Sequence, residues 1–171
     1  FANAFDTKTQ GVDIVATYPL SLTSGSETIL TASMNFNKSE FDSDPSAYLN
    51  AENTYDFENG DPTWRGVVMA RHMIGDLTLM GRANIYGSYE NSNPVGGVLT
   101  VQEYDPVVQF DLEGRYRFNE IFTLALGGRN IFDEYPQKDK IGDYCCGALY
   151  PTGTPVSWDG SYYYARLSAD F

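Results

Sequence analysis

The sequence is poor in the residues that most enzymes and most helical membrane proteins need. It has one histidine, His72, and two cysteines, Cys145 and Cys146, side by side. Its motifs assemble no nucleophile–base constellation, phosphate-binding loop or metal-ligand cluster, which argues against an enzyme. Basic residues are scarce: 11 Lys+Arg stand against 23 Asp+Glu, giving a formal net charge of −12 and a pI near 4.3. That balance argues against nucleic acid as a partner, because the phosphate backbone attracts basic surfaces. No apolar run approaches the roughly 20 residues of a transmembrane helix. The start, FANAFDTKTQ, lacks the basic stretch and apolar core of a signal peptide. The absence of an apolar helix leaves one route into a membrane open, since a barrel strand shows lipid only one face.

What the chain does have is aromatic character, 15% of its residues with thirteen tyrosines, too much for a disordered acidic chain. Its 171 residues fit one domain. All seven arginines (Arg65, Arg71, Arg82, Arg115, Arg117, Arg129, Arg166) fall in strand-like segments, whereas the four lysines (Lys8, Lys38, Lys138, Lys140) fall at segment ends or in loops. Arginines gathered in strands predict a polar sheet face with paired charges, such as a water-filled barrel interior provides.

Period-two alternation predicts seven strands, at about 11–20, 27–38, 63–74, 77–89, 107–118, 121–132 and 161–171. In 77–89 one face carries Leu77, Leu79, Gly81, Ala83 and Ile85, and the other Thr78, Met80, Arg82, Asn84 and Tyr86. In 107–118 Val108, Phe110, Leu112, Gly114, Tyr116 and Phe118 oppose Val107, Gln109, Asp111, Glu113, Arg115 and Arg117. Four consecutive charges on one strand face need water or each other. In 63–74 the faces are ambiguous, and Arg65 and Arg71 are assigned to the polar one. The connections alternate strictly: short at 19–26, 75–76 and 119–120, long at 39–62, 90–106 and 133–160. An antiparallel meander then carries all its short turns at one end and all its long loops at the other. Outer-membrane barrels have that asymmetry, whereas a soluble β-sandwich has no reason to sort its turns by length. Seven strands leave two bare edges, and the abrupt start at FANAFD, without methionine, suggests the C-terminal piece of a larger barrel.

Two stretches, GGRNIFDEYPQKD at 127–139 and CCGALYPTGTPVSWDGSYYYARLSADF at 145–171, resemble the C-terminus of TonB-dependent outer-membrane receptors. The shared marks are an Arg-Asn-aliphatic-Phe-Asp sequence on the penultimate strand, a Tyr-Pro loop, and an aromatic-rich last strand ending in Phe. TQGVDIVATY at 9–18 is similar to that family's Gly-Val-Asp/Glu strand. The resemblance implies an all-β fold in which residues 1–171 are the last seven strands of a plugged, 22-stranded barrel in the bacterial outer membrane. It implies import of a scarce nutrient, an iron-siderophore, cobalamin, haem or an oligosaccharide. The implied partners are outer-membrane lipid and lipopolysaccharide, the barrel-assembly machinery, the rest of the barrel and its plug, and TonB through an N-terminal part not in this sequence. The ending Tyr163, Leu167, Phe171 is, by resemblance, the C-terminal assembly signal.

Several positions merit weighing. Arg129, Asn130, Phe132 and Asp133 read as structural: Arg129 is expected to pair with Asp111 or Glu113, and Asn-Asp chemistry turns the chain into its loop. Direct substrate contact is the alternative. Tyr144, Tyr150, Trp158 and Tyr162 are the candidate ligand contacts of an outer vestibule. Cys145 and Cys146 form a vicinal disulfide, remain free thiols, or supply half a metal site. Adjacent Cα atoms lie about 3.8 Å apart, below the usual disulfide range of roughly 4.4–6.8 Å, so a bridge would be strained, though an oxidising surface favours it. No cofactor is expected. The carboxylates of 39–62 suit Ca²⁺ in type but match no EF-hand-like spacing. Asp111 and Glu113 share a strand face, yet Arg115 and Arg117 continue it, so charge pairing accounts for them better than acid–base catalysis. Two aromatic girdles are expected: Trp64, Tyr86, Tyr89, Trp158 and Tyr162–Tyr164 at the long-loop end, and Tyr18, Tyr116, Phe118, Phe122 and Phe171 at the other. The competing readings are a soluble all-β carbohydrate-binding or adhesive module, and a small passive outer-membrane barrel.

Overall fold

A computed structural model describes residues 5–142, 149–151 and 153–170. Its elements are β1 (Thr7–Leu20), β2 (Ser26–Phe41), α1 (Ala51–Asn59), β3 (Trp64–Ile74), β4 (Leu77–Tyr86), β5 (Tyr89–Val95), β6 (Val98–Tyr104), β7 (Val107–Phe118), β8 (Phe122–Arg129) and β9 (Tyr162–Ala169). Seven strands form one antiparallel sheet in the order β1-β2-β3-β4-β7-β8-β9, while β5 and β6 pair in a second sheet of their own. The fold is therefore all-β, built on a seven-stranded up-and-down meander, as the alternation predicts. β1 and β9 are free edges, so the sheet is open.

The short connections need backbone that turns sharply. Gly25, Gly75 and Asn119 take left-handed conformations there, with φ of 83°, 54° and 55°. In the two-residue turn between β3 and β4, glycine is the residue that tolerates this without steric cost. Arg117 then ties the turn to β7 through Asp76 at 2.9 Å.

The long connections differ from the sequence reading. Segment 39–62 contains α1, and 90–106 is a hairpin, β5–β6, closed by Gly96 and Gly97 at φ 60° and 84°. β4 stops at Tyr86 rather than continuing to 89, and β8 stops at Arg129 because Asn130 turns left-handed at φ 48°.

Register resolves the faces. The pairing of Arg65 with Tyr86, Met69 with Arg82 and Arg71 with Met80 places Arg65, Val67, Met69 and Arg71 on the face that bears Arg82 and Asn84. Cross-strand partners share a face, so all seven arginines lie on one side of the sheet. The other side is a continuous apolar surface, running from Val12, Ile14 and Tyr18 through Val68, Leu79, Leu112 and Leu126 to Leu167. It is uncovered: Val68 is 53% exposed, Leu112 52% and Leu167 68%. One polar pair interrupts it near the short turns, where the Thr28 hydroxyl and His72 Nδ1 share a hydrogen bond of 2.8 Å. Among the described residues the buried hydrophobic side chains are Tyr89, Tyr104, Ala125 and Val156, and all but Ala125 belong to the long connections. Among the described residues the buried hydrophobic side chains thus sit mainly in the long connections.

Candidate functional site: a capped polar wall

Charge is divided between wall and cap. The segments 42–63, 87–106 and 130–161 carry 14 acidic and two basic residues, and the rest of the chain carries nine of each. The whole net charge of −12 therefore belongs to the three connections that leave one end of the sheet.

Those connections are folded together. α1 begins at Asn50, whose side chain accepts the Asn53 N–H at 2.7 Å, a standard N-cap. None of its residues is fully buried, and it docks through polar atoms and through Phe57, whose ring packs on Phe41 of β2 at 4.4 Å. Asp56 Oδ1 accepts from the Ser92 N–H and hydroxyl, both at 2.8 Å, and its Oδ2 from the Asn91 amide at 3.0 Å. Tyr55 donates to Glu90, and this bond pushes the Tyr55 phenol up to about 12. Glu58 accepts the Phe41 N–H at 3.1 Å, anchoring α1 to the top of β2. On the hairpin, Tyr89 and Tyr104 stand opposite each other with rings stacked at 4.7 Å and 9°. Neither hydroxyl makes a hydrogen bond of good geometry among the described residues, although Thr154 lies close to the Tyr89 hydroxyl and Asp139 close enough to act on both. Burial first, then that carboxylate, raises both phenols above their ordinary range. Gln102 on β6 donates to the Lys138 carbonyl at 2.9 Å and accepts the Lys140 N–H at 2.8 Å, drawing segment 130–161 onto the hairpin.

Beneath the cap, the outer end of the polar face is a network around two carboxylates. Asp111, 5% exposed, accepts from Arg82 at 2.7 and 2.9 Å, from the Asn84 amide at 2.9 Å and from the Asn130 N–H at 2.9 Å. Glu113 accepts from Arg115 at 2.8 Å, Arg166 at 3.2 Å and the Tyr164 hydroxyl at 2.7 Å. Where the chain leaves β8, the Asn130 side chain exchanges two hydrogen bonds with the Glu134 backbone, at 2.8 and 2.9 Å. Asp133, also left-handed at φ 60°, accepts the Ser161 N–H at 2.8 Å and so ties the start of the loop to its end. Gly160 fits that junction because a Cβ there would lie 2.5 Å from Asp133 Oδ1. A cavity of ≈ 600 Å³ opens between this junction and the wall, lined by Arg82, Asn84, Tyr86, Gln109, Arg129, Ser157, Asp159 and Tyr162 among others.

The candidate residues fall into groups. Asn130 and Asp133 build the loop junction, and Phe132 packs edge-on against Phe110 at 5.4 Å on the apolar side. Arg129 does not take the expected carboxylate partner. β7–β8 pairing ends at Gly128, one residue short of Arg129, and the acceptor sites of Asp111 are filled by Arg82, Asn84 and the Asn130 backbone. Tyr162 lines the cavity and stacks on Tyr164 at 6.2 Å. Tyr150 packs between Tyr135 and Trp158, at 6.2 and 6.4 Å, outside that lining. Tyr163 and Leu167 lie exposed on the apolar face. Tyr144, Cys145, Cys146 and Phe171 lie outside the described residues. Of the expected outer girdle, Tyr89 is instead inside the cap, and Tyr86 faces the polar side. Tyr18, Tyr116, Phe118 and Phe122 stand exposed at the short-turn end. The carboxylates of 39–62 are dispersed: Asp44 accepts the Ser46 N–H at 2.9 Å, which holds its carboxyl below the usual range, and Asp56 and Glu58 serve the dockings above. No group of three or more metal-ligating side chains is present among the described residues. Sequence reasoning missed Gln109, Ser157 and Asp159 as cavity residues, since only the fold brings segment 157–160 over β4 and β7. Compared with protein-family models, with curated proteins and with solved structures, the chain gives no match.

Proposed function

We propose that the chain is a stretch of wall from an outer-membrane β-barrel of the TonB-dependent type, with lipid on the apolar face and an uptake route on the polar one. The observation that carries this reading is the uncovered apolar face. Six strand spacings of about 4.8 Å by a band about 25–30 Å tall give roughly 800 Å² of projected area. The largest apolar patch of a typical soluble monomer is about 300–600 Å². β3, β4 and β7, with 11, 10 and 12 residues, have the length of tilted barrel strands. The opposite face supports the reading too, since paired charges tolerate a water-filled lumen and would be costly against hydrocarbon. The resemblance of 127–139 and 145–171 to TonB-dependent receptors points to nutrient import, with the acidic cap forming part of an outer vestibule over the wall. Binding and gated passage, not catalysis, is the mechanism proposed.

The deciding experiment is detergent dependence. The intact protein should stay monodisperse only in detergent or lipid and should float with liposomes after reconstitution. A folded, monodisperse protein in plain buffer would sink the membrane reading in favour of a soluble binding module.

A further inference from the structure

Two opposite charges line one cavity without being joined. Arg129 and Asp159 both border the ≈ 600 Å³ cleft above β4 and β7. Neither takes part in any ion pair among the described residues. Arg129 has no hydrogen-bond partner there either, and the Asp159 carboxylate accepts one bond, from the Ser157 hydroxyl at 2.7 Å, whose oxygen in turn accepts the Asp159 N–H at 3.2 Å. The neighbouring charges are satisfied, with Arg82 spent on Asp111 at 2.7 Å. An open guanidinium and an open carboxylate held apart in a partly enclosed space suit a bound dipole better than a bound ion. A simple anion would meet the −12 of the cap on its way in, and a simple cation would finish facing Arg129. Tyr162, the register partner of Arg129, adds a flat ring backed by Tyr164. The volume lies within the usual range of small-ligand sites.

We infer that this cavity binds a small zwitterion of the size of a short peptide. Its carboxylate is taken bidentately by the Arg129 guanidinium, its ammonium lies on Asp159, and its body rests against Tyr162. The inference rests on the polar face being the inside of an uptake barrel, and it names the class of cargo.

Trialanine with free termini, N-acetyl-trialanine and trialanine amide are the probes, titrated calorimetrically into the intact protein in micelles. Free trialanine should bind about fivefold tighter than either blocked form, the upper end of what one exposed charge pair is worth. Arg129→Gln should erase the difference between the free and amidated probes. Asp159→Asn should erase the difference between the free and acetylated ones. Equal affinity for the three probes in the native protein, or no saturable binding of trialanine, overturns the inference without any variant having to fold. Variants that weaken all three probes alike also overturn it. The barrel reading fails separately: a protein folded in plain buffer that keeps this selectivity loses its membrane but keeps its site.

Discussion

Gly127 and Gly128 stand opposite Tyr164 and Tyr163 on the β8–β9 ladder, one pair on each face of the sheet. A Cβ on Gly127 would lie 2.5 Å from the Tyr164 ring, and one on Gly128 would lie 2.8 Å from Tyr163. The two glycines are therefore the space in which two adjacent tyrosines lie flat, and Tyr164 crosses β8 to reach Glu113 on β7. Gly127→Val should expel that ring and cost about 2–3 kcal/mol, from overpacking and the lost hydrogen bond together. Tyr164→Phe, which removes only the bond, should cost about 1–2 kcal/mol. Urea midpoints of the protein in micelles check the order; a Gly127→Val variant as stable as Tyr164→Phe would contradict the packing argument. Asp111→Ala should be costlier, about 3 kcal/mol, because it strands a buried backbone N–H at Asn130 and unpairs Arg82 at once. The same urea series measures it. Both halves of each contact can be read in the sequence, but their alignment cannot, because a one-residue slip would put every partner on the other face.

At the scale of elements, the seven long strands are legible because each carries eight to sixteen residues of alternation, and short turns join three of the six pairs, β1–β2, β3–β4 and β7–β8. The hairpin was within reach: Val95-Gly96-Gly97-Val98 is a two-residue glycine turn between β-formers. α1 had its start and stop signals in Asn50 and Gly60, but no apolar stripe, since it docks by hydrogen bonds and one ring contact, Phe57 on Phe41, and fully buries no residue. Periodicity finds helices that bury a face, so a helix held by Asp56 and Tyr55 is invisible to it. That mode of docking makes a pH prediction. The Tyr55 phenol is raised in the folded state, so its contribution is fully present below its ordinary value near 10 and is lost as pH rises through about 12. A fluorophore placed at Asn53 should report loosening of α1 across that window, and Tyr55→Phe should flatten the response. An unchanged transition in Tyr55→Phe would mean that another phenol, such as Tyr104, governs it.

For the whole molecule, neighbouring residues test the two faces. Val67 and Val68 are adjacent in mid-β3, with Val67 opposite Asn84 and Val68 opposite Ala83. Val68→Arg places a charge on the apolar face and should cost about 2–4 kcal/mol in a bilayer, seen as failed reconstitution or a lowered unfolding midpoint in liposomes. Val67→Arg joins the polar face beside Arg65 and Arg71 and should reconstitute normally. Equal tolerance at both positions would remove lipid from the account of the apolar side. By itself the sequence determined the strand count of the main sheet, its antiparallel order and the sorting of short turns from long connections. Alternation and turn length are local properties, and neighbouring strands pair across them. Tertiary structure alone decided that the long connections fold into one acidic cap with its own tyrosine core, that Asp111 belongs to Arg82 rather than Arg129, and that Asp159 meets Arg129 across a cavity. Those outcomes join residues 30 or so positions apart through loops without periodicity, where only packing in three dimensions fixes who meets whom.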